Sequence, residues 1–291
     1  MRHSAPFFLF LCALALLLAW GCAPAEAPAP QADAPADSSS DPASEGDAPA
    51  AGEPVLTVAT LSPPVDWLVG RIGGPLVDRQ LALPAGEDPQ LWQPPAELLV
   101  ELQSVDLIVA SGAGYEVWTS QVSLPLSRLV DAAEGIELIE VAGRTHSHGD
   151  AGAHSHGEID PRVFTDPDLL LAQGRRIHGA LVAAAPQAEG DFTAGLEALE
   201  ADLAAVSAEL AEVFAAWPEA LPAASSHPSF NYLFRRYGAA LKSFDFDPAA
   251  APQAAELEKF RAWAQGAPAV LLWDEEPSEA ARAAFGGEGA G

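Results

Sequence analysis

The sequence predicts an α/β protein of two lobes, each a parallel sheet with flanking helices, joined by a long backbone helix. Three observations carry this. Short runs rich in β-branched residues and leucine alternate with amphipathic stretches, the strand–helix–strand rhythm of a parallel sheet with crossover connections. The same rhythm returns after residue 218. Between the two series, Phe192, Leu196, Leu199, Leu203, Val206, Leu210, Val213 and Trp217 recur at spacings of four and three, while Glu200, Asp202, Glu209 and Glu212 fall mostly off that stripe. At 1.5 Å per residue such a helix is about 39 Å long, enough to run the length of both lobes.

The chain opens with Arg2 and His3 ahead of an apolar run, residues 5–20, in the order of a secretory signal. Residues 1–21 are read as that signal, with cleavage before Cys22. Ala19-Trp20-Gly21-Cys22 is similar to the lipobox of bacterial lipoproteins, whose cysteine is acylated, although Ala19 stands where leucine is usual and Trp20 is bulky. Ordinary secretion with a free thiol is the alternative. Cys12 lies in the apolar run, so cleavage leaves one cysteine and no internal disulfide. Residues 22–54 follow as an acidic Ala/Pro linker that cannot bury enough apolar surface to fold. With lipid on Cys22, it would tether the folded part to a membrane.

The first lobe is expected over residues 55–185. Residues 55–61 (VLTVATL) read as a buried strand ending at Ser62-Pro63-Pro64, and residues 66–72 as a helix stopped by Gly73-Gly74. Residues 77–83 give a second strand and residues 84–95 a loop. Residues 96–103 give a helix, residues 106–110 a third strand and residues 135–141 (GIELIEV) a fourth. Asp166-Pro167 starts a helix, with a carboxylate cap and proline at the first helical position, running to about residue 185. The long helix occupies residues 186–217. The second lobe, residues 218–291, is short: strand 221–226, helix 230–237, strand 240–246, helix 253–265, strand 269–273 and helix 278–285.

Within the first lobe, residues 145–158 carry four of the seven histidines as two His-Ser-His pairs, His146/His148 and His154/His156. Neutral imidazole is the commonest nitrogen ligand of zinc, and Gly149, Gly152 and Gly157 would let both pairs reach one ion. The alternative is a histidine-rich insertion that meets metal only in excess. His227 precedes Pro228, which keeps it out of helical geometry and places it at a strand's carboxyl end, where open α/β sheets bind ligands. A structural, hydrogen-bonded His227 is equally compatible with that position. His178, mid-helix without a partner at helical spacing, reads as a surface residue.

A formal charge of −27, from 14 basic and 41 acidic residues, argues against nucleic acid as a partner. No phosphate loop or nucleophile elbow is present. His146-Ser147-His148-Gly149-Asp150 imitates the start of the H-x-H-x-D-H motif of metallohydrolases, but position 151 is alanine, and enzymatic activity is not expected.

Several local motifs, in this order and spacing, resemble the metal-binding solute-binding lipoproteins of zinc and manganese ABC importers. Gly86-Glu87-Asp88-Pro89-Gln90 resembles their G-A-D-P-H loop, and Ser111-Gly112-Ala113-Gly114-Tyr115-Glu116 their N-G-A-G-L-E turn. Asp160 to Pro167 resembles D-P-H-V-W-L-D-P, and Ser226-His227-Pro228-Ser229-Phe230 with Arg236-Tyr237-Gly238 resembles H-D-A-F…R-Y-G. Glu276-Pro277 is similar to the E-P pair after a late strand. The resemblance implies a metal cleft between the lobes, zinc or another divalent metal as cargo, and delivery to an ABC permease in the membrane. It also implies three histidine ligands plus a carboxylate. Of these the sequence keeps His227, with Glu276 the candidate carboxylate, while Gln90 and Arg162 stand at the other two histidine positions. The chain also ends where the pattern adds a further strand and its last carboxylate. A guanidinium repels a cation instead of coordinating it. Arg162 is therefore expected either to fill the cleft, paired with Glu276 or Glu275 and hydrogen-bonded by Gln90, or to lie in solvent beside a relaxed cleft. On the first alternative, the protein would be a non-transport relative acting as a metal buffer or structural lipoprotein.

Overall fold

The computed structural model describes residues 53–141 and 158–286. The signal, Cys22, nearly all of the linker and the four clustered histidines lie outside these residues. No helix among the described residues is long and apolar enough to cross a membrane.

The first sheet has four parallel strands in the order β2-β1-β3-β4: β1 Leu56–Thr60, β2 Val77–Leu81, β3 Leu107–Ala110 and β4 Leu129–Asp131. Register is set by pairs such as Leu56↔Val77, Val58↔Leu107 and Ile108↔Leu129. The fourth strand is not at residues 135–141, as the apolar run suggested. Of that run only Glu140–Val141 is extended, as β5, and it pairs antiparallel with β6, Glu158–Ile159. Ile136, Leu138 and Ile139 pack instead around Ala133, Val163 and Tyr232, so their hydrophobicity serves that small cluster and not the sheet.

Helix α1 (Pro63–Gly73) begins with proline at its first turn and buries Val65, Leu68, Val69 and Ile72, one face at spacings of three, one and three. It ends at Gly74, whose φ of +52° suits glycine. Helix α2 (Ala96–Glu101) covers the opposite face of the sheet, where Leu102, Ile108 and Trp118 are fully buried. Helix α3 (Pro167–Ala184) is capped by Asp166, which accepts hydrogen bonds from Asp168 N (2.9 Å) and Leu169 N (3.4 Å).

The long helix is α4, Glu189–Ala215, 27 residues or about 40 Å. It packs on α1 and α3 through Phe192, Leu199 and Leu203, whose burial extends the core formed by Val58, Leu68, Ile72, Val109, Ile177 and Leu181. Gly195 lets the helix approach closely, since a Cβ there would lie 2.4 Å from the Ile72 carbonyl oxygen. At its far end the stripe deviates from expectation. Val213 is exposed, and Phe214 stacks between Trp217 and Tyr237 and meets Phe234 edge-on. His178 is also not a bare surface residue, because its Nε2 lies 3.2 Å from Thr193 Oγ1 across the α3–α4 contact.

The second sheet has three parallel strands in the order β8-β7-β9: β7 Ala223–Ser225, β8 Leu241–Ser243 and β9 Val270–Leu272. Helices α5 (Asn231–Arg236), α6 (Ala254–Ala264) and α7 (Glu279–Phe285) connect and flank them. Gln253 and Glu256 form a reciprocal capping box on α6. Phe244, Phe246, Phe260, Trp263, Trp273 and Phe285 contact one another as rings, giving this small lobe an aromatic core. Such pairs prefer edge-on or offset geometry and bury large area per residue, which suits a sheet of three short strands.

Candidate metal cleft

Every candidate residue of the described chain except Arg162 follows the carboxyl end of a parallel strand. Gln90 follows β2, Tyr115 and Glu116 follow β3, His227 follows β7, Asp245 follows β8, and Asp274 and Glu276 follow β9. Arg162 enters from the turn that leads into α3. The two lobes are joined by contacts between α5 of the second and the segments of the first around residues 139, 160 and 166–168. Asn231 Nδ2, at the start of α5, donates to Asp160 Oδ2 at 2.9 Å. The Tyr232 hydroxyl donates to the Asp160 carbonyl at 2.8 Å and accepts from Ile139 N at 3.0 Å. Arg236 pairs with Asp166 and with Asp168, tying α5 to the start of α3. These ties were not foreseen from the sequence. The pre-helical Asp166 and the R-Y-G motif offered both halves of one ion pair, but nothing in the sequence joined them across the lobes.

The loop bearing Gln90 is built on Asp88, which accepts from Gln90 N through its side chain (2.8 Å) and from Leu91 N and Trp92 N through its carbonyl. Trp92 meets Trp118 edge-on at 6.0 Å and anchors the loop to the first core. Gln90 is half-buried, and its Nε2 is shielded from solvent with no hydrogen-bond partner. Glu116 is buried and accepts from Ser62 Oγ (2.5 Å) and Ser111 N (3.0 Å). Burial pushes its pKa up from the ordinary value, opposed by those hydrogen bonds.

Asp160 is buried, accepts from Arg162 N at 2.9 Å, and has its pKa raised by burial despite Arg162 and His227 nearby. Tyr115 packs edge-on against Phe164 at 5.1 Å. Burial pushes its hydroxyl up to about 12, with Arg162 acting against that shift and Glu116, Asp88 and Asp274 adding to it. Tyr115 of the first lobe thus sits in the field of Asp274 of the second. Asp274 is held by Ser226 Oγ (3.1 Å) and Ser229 Oγ (2.6 Å), both from buried serines.

His227 is one-third exposed, with Nδ1 3.3 Å from Asp245 Oδ1. The expected pairing of Arg162 with Glu276 or Glu275 is not found among the described residues. Glu276, largely exposed, pairs with Arg282 of α7, because the first turn of that helix folds its arginine back over the preceding loop. Nor do the described residues show a hydrogen bond between Gln90 and Arg162. Among them no group of three or more His, Cys, Asp or Glu side chains is arranged to hold a metal ion. His227 and Asp245 offer two donors, and four-coordinate zinc requires more. His146, His148, His154 and His156 lie outside the described residues.

A family model described as the periplasmic component A of a zinc-uptake complex matches residues 58–289. The zinc-binding lipoprotein AdcA of Streptococcus pneumoniae R6 is 25% identical over 242 residues, covering 78% of this chain and 46% of that protein. The high-affinity zinc uptake system protein ZnuA of Bacillus subtilis 168 is 24% identical over 241 residues, covering 80% of this chain and 74% of that one. The crystal structure of Zn(II)-bound AdcA from Streptococcus pneumoniae superimposes with a TM-score of 0.67 at 22% identity, over 79% of this chain and 48% of that chain. This chain therefore spans about half the length of the AdcA proteins it matches.

Proposed function

The chain belongs to the family of periplasmic zinc-uptake components, and on that premise we propose that it is an extracytoplasmic solute-binding protein that captures zinc, or a similar divalent ion, for a membrane importer. The observation that carries the proposal is the continuity of the match. It runs from β1 to beyond α7 and takes in both sheets and the long helix, so the whole two-lobed frame is of the solute-binding type. Histidine content favours zinc over manganese, which prefers oxygen ligands. In this reading His227 and the histidines at 146, 148, 154 and 156 supply the nitrogen donors, Cys22 carries a lipid anchor, and a permease of the ABC type receives the ion. The role is binding, not catalysis.

A second reading is supported by the chemistry of Gln90 and Arg162, neither of them a good zinc ligand, at positions where the resemblance implies histidines. It makes the protein a reservoir that holds metal on the histidine-rich segment without delivering it.

A competitive zinc titration tests both, using the chain from Ala23 onward beside the same chain lacking residues 146–156 and beside His227→Ala. Binding that survives the deletion and is lost in His227→Ala supports capture in the cleft and transport. Binding lost with the deletion supports the reservoir. A full chain that fails to compete with a micromolar chelator refutes zinc capture altogether.

A further inference from the structure

We propose that Asp245 is a positioning residue for His227: it holds the imidazole in the tautomer that keeps the Nε2 lone pair for a divalent ion, acting through the ring and not as a further ligand. The inference rests on the reading of His227 as a nitrogen donor for the captured ion, and adds how that donor is aimed.

The backbone at His227 is pinned on both sides. Ser226 N donates to the Leu272 carbonyl at 2.8 Å, Ser229 N donates to the His227 carbonyl at 2.7 Å, and the hydroxyls of both serines donate to the Asp274 carboxylate. The remaining freedom is rotation of the ring, and the contact that limits it is Nδ1 to Asp245 Oδ1 at 3.3 Å. The fold of the second lobe prepares that contact. Just beyond β8 the chain stays beside the end of β7, with Phe244 N donating to the Ser225 carbonyl (2.9 Å) and Phe246 N to the Ser226 carbonyl (2.8 Å). Phe244 and Phe246 stack on each other at 5.1 Å, and both pack on Phe260 in the aromatic core. Neighbouring side chains of an extended chain point opposite ways. Asp245, between two rings committed to the core, is therefore turned out of it and onto the histidine. Its side chain is 57% exposed, so the carboxylate is not there for packing. A carboxylate only accepts hydrogen bonds, so beside a neutral imidazole it keeps the single ring proton on Nδ1 and leaves Nε2 as the ligand atom. Such a carboxylate also makes the ring a more basic ligand and stops it turning. The distance is within ion-pair reach and slightly long for an N–H···O hydrogen bond. A metal on Nε2 would shorten it, because charge-assisted hydrogen bonds are the shorter kind.

The test uses the chain from Ala23 onward carrying His146→Ala, His148→Ala, His154→Ala and His156→Ala, which leaves His178 and His227 as its only histidines. Side-chain ¹⁵N NMR of this parent in chelator, at a pH where imidazole is neutral, reads the tautomer without any metal. His227 is expected to carry its proton on Nδ1. In Asp245→Ala the proton is expected to move to Nε2, and in Asp245→Asn, which keeps an accepting oxygen, to stay on Nδ1, with the His178 signal unchanged throughout. Zinc titration of the same proteins is expected to show Asp245→Ala weaker than the parent by about 10- to 100-fold, with Asp245→Asn closer to the parent. A purely structural aspartate would change the melting temperature without moving the tautomer. The proposal is overturned if Asp245→Ala keeps the Nδ1–H tautomer, or if it binds zinc like the parent while His227→Ala does not. Zinc capture fails by a different sign, a parent whose zinc affinity is untouched by His227→Ala. His227 is then no ligand, and the metal role of Asp245 falls with it whatever the tautomer.

Discussion

Tyr232→Phe is expected to weaken the joint between the lobes by an amount that follows from two hydrogen bonds. The side chain is fully buried, and its hydroxyl donates to the Asp160 carbonyl at 2.8 Å while accepting from Ile139 N at 3.0 Å. Phenylalanine keeps the ring in the cluster with Ala133 and Val163 but strands one backbone carbonyl and one backbone N–H. A buried polar group left without its partner costs about 1–3 kcal/mol. Ile139 is only partly buried, so water recovers some of that loss. The expected cost is about 2–3 kcal/mol, or a melting point about 5–10 °C lower at this size. Urea unfolding of the pair should show a lower midpoint with an unchanged slope, because the surface exposed on unfolding is the same. A loss under about 1 kcal/mol would refute the reasoning, since the hydroxyl would then be no better than solvent to its two partners.

Two further outcomes follow from buried groups. Burial raises the Glu116 pKa above its ordinary 4.5, so the folded state holds that proton more tightly. The resulting stability is present below the ordinary carboxylate range and is lost as pH rises through the folded value. Glu116→Gln keeps an oxygen for Ser62 Oγ and Ser111 N, and its stability is expected to fall less between pH 5 and pH 8 in urea unfolding. Some slope remains, because Asp160 is raised in the same direction. Gly195→Ala is expected to cost about 1–3 kcal/mol by forcing α4 away from Ile72, whereas Gly190→Ala, with open space around its Cβ, is expected to be neutral or stabilising. Parallel thermal melts of the two variants check this pair.

The parts of the fold that rest on local signal were legible. Buried strands β1, β3 and β7 announce themselves as apolar runs, and Asp166-Pro167 marks its helix through cap chemistry that needs only two residues. The fourth strand of the first sheet was not legible. Leu129–Asp131 is three residues long, too short for periodicity, while the longer apolar run after it is apolar for contact with Tyr232. Phe214 replaced Val213 on the long helix because the aromatic residues of the second lobe decide which face is covered there. Gln90, Arg162 and His227 were picked out by motif resemblance, and the pairing expected for Arg162 is not found among the described residues. Glu276 has a nearer partner in Arg282, six residues on, and short-range geometry of that kind wins over a distant cation unless burial opposes it. Tyr115, Asp160 and Asp274 were passed over as cleft groups. The tyrosine in place of leucine, in a turn beside the cleft, was the signal that could have found the first of them.

The β5–β6 pair brings Val141 and Glu158 side by side, and Ile139 and Asp160 just outside it are both held by the Tyr232 hydroxyl. The histidine-bearing stretch thus leaves and re-enters the fold through a double rivet. By loop-closure entropy, doubling the number of residues between two such anchors costs only about 0.6 kcal/mol. Residues 142–157 are therefore a natural grafting port. A fluorescent tag, a protease site or a longer run of histidines spliced there is expected to leave both sheets intact.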